Sequence, residues 1–469
     1  MADSYDYIVV GNGAIGCAVA FELQQREAGA KIALVGQANR PGSASAAAGA
    51  MLNVYAELDA GTLEHPIHRH KFELARRATA KWPNWIAALR SAAPGASCPE
   101  IVLGTYILKN MVGDEQDDDA YRAIKAALIE YQEPFDIVEP SAIKGYLPSV
   151  QGRAFEAIYI PGEGLINPRQ LFATYQSVFE AGSPVRTVDA TAVRLTVGAA
   201  GQKTVHLADG AQLSAPKVLL AAGAETRTLI ASIPEIKDRV LPLFYGVGAA
   251  LLLKIRGEAP PKVIRTPNRA LACGIHMVPQ SENTVYIGAS NQISPWPEFA
   301  PRLTSVQFLA ESAMDQLNSS YYNAELQHTF LGYRPTSADT LPMIGETSVP
   351  GLFMLTGTKR DGLHNSPIFA EDMVDRMLGG TGFIDKALAP ERKVIPWLSK
   401  AEGINLGVRH LRSAGIQHGL RMPRSNWTPM VDDMLTQHVE EVYRVSGVEY
   451  GIPPELLDIY RHGHITKDH

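Results

Sequence analysis

The sequence predicts an α/β protein: a parallel-sheet domain assembled from several stretches of chain, an antiparallel-sheet α+β domain inserted into it, and a helical C-terminal extension. Three observations predict this. The chain opens strand–glycine turn–helix–strand, in "YIVVGNGAIGCAVAFEL" and "KIALVGQ". Two later stretches, "KVLLAAGAET" and "GLFMLTGTKRDGLHNSPIFAEDMVDRML", read as buried strands that end in small-residue turns. Between them, residues 240–290 form short apolar runs punctuated by Pro, Gly and Asn, the pattern of an antiparallel sheet.

Residues 7–10 are apolar and rich in β-branched types, as a strand buried on both faces must be. Gly11-Asn12-Gly13-Ala14-Ile15-Gly16 follows and opens a helix. Gly11 permits the tight turn, Gly13 lets backbone approach a pyrophosphate, and Gly16 lets the helix pack close to the strand. The free amides of Ala14 and Ile15 and the helix dipole supply partial positive charge. This is the pattern of a Rossmann-type dinucleotide-binding domain. The acid that holds the ribose is due about twenty residues past the glycines. That place is Gly36. Two readings stay open on the motif alone. Either Gln37 or a backbone group takes the ribose hydroxyls, or the missing acid together with Arg40 accommodates a 2′-phosphate, as in NADP enzymes.

Further on, "GSASAAAGAMLNVY" reads by itself as an alanine-rich helix start, although residues this small would also let a flat ligand lie against backbone. Residues 68–89 have the periodicity of an amphipathic helix, and "GDEQDDDAY" that of a solvated acidic loop. Helices are also expected near 121–131, from Pro168 onward and over 304–317. The resulting division gives 1–95, 150–238 and 330–390 to the nucleotide-binding domain, and 96–149 with 239–329 to the substrate-binding domain. Residues 391–469 form the extension, helical in "MVDDMLTQHVEEVYRV" and "PPELLDIYRHG". Three roles are open to it: folding back over the core, mediating homo-oligomerisation, or covering the mouth of the site.

A composition of 46% hydrophobic and 20% charged residues is that of a globular chain. A net charge of −6 gives no reason to expect nucleic acid or an anionic membrane as partner. Cys17, Cys98 and Cys273 lie far apart, without disulfide or zinc spacing, and the histidines of "RHGHITKDH" lack a second ligand cluster, so no metal is expected. Neither a signal segment nor an apolar run of membrane length is apparent, so a cytoplasmic location is expected.

Taken in order, the segments resemble the D-amino-acid oxidase family of flavoproteins, in its glycine oxidase/sarcosine oxidase-like branch. The resemblance covers roughly residues 5–380 and rests on "GNGAIG", "SASAAAGAML", "GLINPRQLFATY", "VLLAAGAET", "IHMVPQ…VYIGAS" and "GYRPTSADTLPMIG". It implies that the dinucleotide is FAD and that Gln37 carries the ribose contact. The loops in which covalently flavinylated members carry a histidine or cysteine hold neither here, so non-covalent FAD is expected. Ser43, Ser45, Ala48, Gly49 and Met51 then fall along the cofactor. Val193, Ala222, Gly223 and Gly332 are further expected contacts, and Gly362 and Leu363 follow from the loop "TGTKRDGLH".

The implied chemistry is oxidation of a C–N bond by hydride transfer to flavin N5, with hydrolysis of the imine and reoxidation by O2. The substrate is an amine or amino acid. Arg334 matches the family arginine that binds substrate carboxylate through a bidentate fork. His276 stands where the branch has a tyrosine that helps hold that carboxylate, and Gln280 where it has an arginine. Both departures predict a substrate other than glycine or sarcosine. Lys359 and Arg360 are expected beside the flavin, where a cation would stabilise its reduced form or promote reaction with oxygen. Met51, Tyr245 and Tyr333 are candidate pocket residues. Two alternatives stand against this reading: an NADP-binding oxidoreductase, and a flavin-bearing non-catalytic or electron-transfer subunit of a complex.

Overall fold

The structure, a computed structural model, describes residues 3–180, 182–198, 201–270, 272–421, 427–467 and 469. A six-stranded sheet lies at its centre, in the order Met343–Glu346, Leu352–Thr356, Lys217–Leu220, Tyr7–Val10, Ile32–Val35, Val185–Val188. All neighbours pair in parallel except the first two strands. Side-chain alternation sends Val9 and Leu219 into one core, beneath the helices Ala14–Arg26 and Ser366–Met377. Ile8, Val10, Val218 and Leu220 point into a second core on the other face. All four residues of Tyr7–Val10 are buried, as their uninterrupted apolar character requires.

A ten-stranded sheet forms the second layer. Leu243–Lys254, Thr284–Ser290, Ala272–Ser281, Val263–Arg265, Ile101–Asn110 and Ala154–Ile166 succeed one another across it. Glu325–Ser337 pairs antiparallel with Leu243–Lys254 along its whole length. The strand Ala154–Ile166 is thus hydrogen-bonded to Ile101–Asn110 in the large sheet, although it lies past the cut expected at residue 150. Likewise Glu325–Ser337 runs through the cut expected at 330. A smaller sheet joins Ala192–Val197, Lys203–Leu207, Gln212–Ala215 and the N-terminal pair Asp3–Ser4.

The expected helices occur as Pro66–Ala92, Glu115–Glu130, Pro168–Glu180 and Leu303–Ser312; the second starts inside the stretch expected to be an acidic loop, capped by Asp114, and the last runs into a wider turn over Ala313–Leu317. The serine-alanine stretch is not helical; residues 41–49 are turns and irregular chain. Its hydroxyls are used on backbone amides instead: Ala46 N–H donates to Ser43 Oγ (3.3 Å), and Ala14 N–H to Ser45 Oγ (3.2 Å). Gly42 and Ala50 take positive φ, which a helix forbids.

The C-terminal extension is helical over Lys400–Gln417, Trp427–Ser446 and Leu457–Arg461. It folds back onto the second core, where Val439, Tyr443, Ile452, Leu456 and Ile465 join Ile8, Val10 and Leu220. Cys17 and Cys98 are free thiols, and the side chain of Cys273 lies outside the described residues. Among the described residues no helix is long and apolar enough to cross a membrane.

Candidate active site

A cavity of about 600 Å³ runs from the glycine turn to the large sheet. At one end lie Gly11, Gly13, Ala14 and Ile15, where the helix Ala14–Arg26 begins without a side-chain cap. Gly11 takes φ +115, and a Cβ there would overlap Ala221 O. A Cβ on Gly16 would collide with Gly11 O, so Gly16 draws the helix against the turn without itself lining the cavity.

Gly36 has a reason of its own. A Cβ there would come 2.5 Å from Asn12 Cγ and Oδ1, so the Asn12 amide fills the space where an acidic side chain would begin. Asn12 Nδ2 donates to Gln37 O (2.9 Å). Arg40 is engaged nearby: Nε donates to Asn12 O (2.9 Å), Nη1 to Ala38 O (3.2 Å), and the guanidinium lies 4.5 Å over the Phe172 ring. Those contacts bind it to the protein's own carbonyls and remove the motive for a 2′-phosphate. Ser43, Ser45, Ala48, Gly49 and Met51 line the cavity further along. Val193, Ala222, Gly223 and Gly332 line it as well, and so do Gly362 and Leu363. A helix N-terminus facing a slot walled by residues too small to fill it fits a flavin dinucleotide.

The other end carries charge. Arg334, half-buried in Glu325–Ser337, donates from Nη1 to Ser290 O (3.0 Å) and Asn291 Oδ1 (3.3 Å). Among the described residues it has no carboxylate within 4.0 Å. Its guanidinium lies over Gly248 of the paired strand, where a Cβ would overlap Nη1. Lys359, at φ +51 in the glycine loop, pairs with Glu455 of the C-terminal extension. Arg360 reaches Glu57 (3.5 Å), which also accepts from buried Arg265 (2.6 Å). Burial alone would raise the Glu57 carboxyl; the Arg265 and Arg360 guanidiniums outweigh it and hold the group below the ordinary carboxylate range.

Glu57 is placed by a second carboxylate. Glu163 Oε1 accepts from the backbone amides of Val54 (2.6 Å) and Ala56 (3.2 Å), fixing the turn that carries Asn53 and Glu57 into the cavity. Burial pushes the Glu163 carboxyl up to about 7 against those amides.

His276 is 3% exposed and lines the cavity. Period-two alternation predicts that it shares a face with Gly274 and Val278, but the ladder is irregular between Ala272 and His276, with Gly274 at φ +69. Nδ1 donates to Gly274 O (3.1 Å), and the ring stacks on Tyr286 at 5.9 Å. Burial, with Arg265 adding to it, holds the imidazole down to about 3, so it is neutral near pH 7. Tyr333 lines the cavity. Tyr245, expected in the pocket, does not: it is buried one layer behind, edge-on to Tyr333 at 5.3 Å, with its hydroxyl on Glu225 (3.4 Å).

Sequence reasoning missed Asn12 as the occupant of the Gly36 space, and also Glu57, Arg265, Asn291 and Glu455. Gly248 carried a readable signal, since a glycine inside an apolar strand marks close approach.

A cleft with a helix N-terminus walled by small residues at one end, and at the other a guanidinium without a carboxylate partner among the described residues, suits a flavin dinucleotide and an anionic substrate. Residues 6–376 match the DAO family, described as FAD dependent oxidoreductase, and the chain belongs to it. Its cofactor is therefore FAD. The chain is 26% identical over 385 residues to a glycine oxidase of Geobacillus kaustophilus, covering 80% of this chain and 94% of that one. It is 24% identical over 373 residues to the bifunctional protein ThiO/ThiG of Nostoc sp., covering 79% of this chain. The match spans 52% of that bifunctional relative, about half its length. The crystal structure of the Geobacillus kaustophilus glycine oxidase superposes with a TM-score of 0.70 at 24% identity, over 84% of this chain and all of that one. The iminodiacetate oxidase of Chelativorans sp. BNC1 gives 0.67 at 18% identity, over 82% and 100%. Both share the fold.

Proposed function

We propose that this protein oxidises the C–N bond of an amino acid or related carboxylated amine and passes the electrons to O2. The observation that carries the reading is Arg334: a half-buried cation facing a cavity, held from behind by Ser290 O and Asn291, with no carboxylate partner among the described residues. A guanidinium in that state recruits an anion, and a carboxylate matches its fork. FAD, when bound, supplies a two-electron acceptor for the hydride on the substrate α-carbon. The chain contributes orientation. Arg334 pins the carboxylate, and the stacked pair His276–Tyr286 bounds the space beside it. Neutral His276 exposes no second charge to the substrate, so the amine is not repelled there.

Retention of FAD without a covalent bond belongs to the same reading. His276 is committed to Gly274 O, and His364 to Thr79 Oγ1 at 2.8 Å. No cysteine lines the cavity among the described residues. The replacement of the branch's tyrosine by His276 favours a substrate other than glycine or sarcosine.

The test is a yellow preparation mixed anaerobically with a panel of amino acids and amines. Bleaching by carboxylated amines, and not by their decarboxylated counterparts, supports the reading. A protein that takes up no FAD, or one bleached equally by amines lacking a carboxylate, overturns it. Acid precipitation that leaves the flavin in the pellet would overturn the non-covalent assignment. Fastest turnover of glycine or sarcosine would overturn the substrate preference.

A further inference from the structure

Lys359 lies in the glycine loop and Arg334 in the long strand of the large sheet, yet one residue from the C-terminal extension is connected to both. Glu455 sits in a short turn, Pro454–Leu456, beyond the stretch that matches the family. Its Oε1 accepts from Lys359 Nζ, and its Oε2 from Asn291 Nδ2 (3.2 Å). Asn291 Oδ1 in turn accepts from Arg334 Nη1 (3.3 Å). We infer that Glu455 is a positioning residue for the carboxylate anchor Arg334, acting through the Asn291 amide; the inference rests on Arg334 having that role.

The chemistry of the amide makes the relay directional. An asparagine presents an acceptor on one side and a donor on the other. Glu455 offers only acceptors, so Asn291 must turn Nδ2 toward it, and Oδ1 is thereby aimed at the guanidinium. A flipped amide would set Nδ2 against Arg334, donor against donor. A carboxylate is needed because two donors, an ammonium and an amide, must be accepted at once. A glutamine in its place accepts from Lys359 with Oε1 and presents Nε2 to Asn291, which favours the flipped state.

The turn is held firmly enough to transmit this. Leu456 and Leu457 are buried in the second core, Ile452 N–H donates to Tyr443 OH (2.7 Å), and Gly451 N–H donates to Leu398 O (2.8 Å). Burial of the Glu455 carboxyl is outweighed by Lys359 and Arg360, which keep it below the ordinary range, and so charged. His410 stands near the pair but is held down to about 4, chiefly by burial, and adds no competing charge near pH 7. Lys359 and Glu455 are each 17% exposed, so the contact is sheltered from solvent.

The experiment uses the full-length holoprotein and compares the wild type with Glu455→Gln, Asn291→Ala and the double variant. Three quantities are read: KM and kcat for the best amino acid of the panel, the calorimetric Kd of acetate, and the melting temperature. Loss of one hydrogen bond to a charged anchor is expected to raise KM and the acetate Kd about tenfold in either single variant, with kcat within about twofold. The double variant should be no worse than either single one, because both break the same relay. Unchanged KM and acetate Kd in Glu455→Gln overturn the inference, as does a lowered melting temperature with binding intact, which would make the pair a tether for the extension. Additive losses in the double variant also overturn it. If no amino acid reduces the wild-type flavin, the proposed function fails instead, and the acetate titration still reports on the relay.

Discussion

The two ends of the cavity are built from different materials. The glycine-turn end is made of backbone: Gly11 and Gly13 line it, Gly16 draws the helix against the turn, and the side chains nearby are small. The charged end is lined by Glu57, Arg334, Lys359 and Arg360 and braced from behind by Arg265 and Glu455, long polar side chains brought from five separated segments. Backbone geometry comes with the local sequence, so its function is fixed within a few residues. A side-chain constellation exists only after the chain has folded, and each member is held by another. The first end should therefore fail through sterics and the second through charge.

Acid is expected to separate them most strongly. His276, His364 and His410 lie at or beside the charged end, and burial holds them to about 3, 4 and 4. In the unfolded chain they titrate near 6.5, so between that value and about 3 the unfolded state binds more protons. Their contribution is present in full above pH 6.5 and is lost as pH falls through that window, by several kcal/mol in sum. Melting curves from pH 7.5 to 4 check it; a flat profile would break the contrast. Replacing Arg334 by Leu comes next. The expected loss in kcat/KM for a carboxylated amine is about two to three orders of magnitude, with FAD content unchanged. An equal loss of FAD would show that the two ends are not separable.

At the backbone end, Gly16→Ala drives a methyl into Gly11 O. A cost of about 3 kcal/mol and a colourless preparation are expected, whatever the pH. The smallest effect is the most discriminating. Gly36→Asp restores the customary ribose acid but meets Asn12 at 2.5 Å. FAD affinity is expected to fall by about tenfold, a cost of about 1.4 kcal/mol, and to recover when Asn12→Gly is added. Fluorescence titration with FAD reads both steps; a gain from Gly36→Asp alone would show that Asn12 does not fill that space.

The same contrast decides what could be read from the sequence. The strand–turn–helix at residues 7–26 was legible because each glycine there answers a local demand. The antiparallel strands were legible from their turns, and Arg334 from its motif. The serine-alanine stretch misled, since residues with good helix propensity were committed by contacts with residue 14, far away in sequence. Tyr245, a pocket candidate, lies behind Tyr333, edge-on at 5.3 Å, a depth that a residue's type and motif do not carry. Glu57, Asn291 and Glu455 had no local signature: each is an ordinary polar residue until its partner arrives.

The position of Ile452, Leu456, Tyr460 and Ile465 against Ile8, Val10 and Leu220 has a consequence for biosynthesis. One face of the βαβ unit at residues 7–35 is roofed by residues more than four hundred positions further along the chain. Until they emerge, that face lacks its apolar cover, so the nascent chain must stay soluble with that surface exposed.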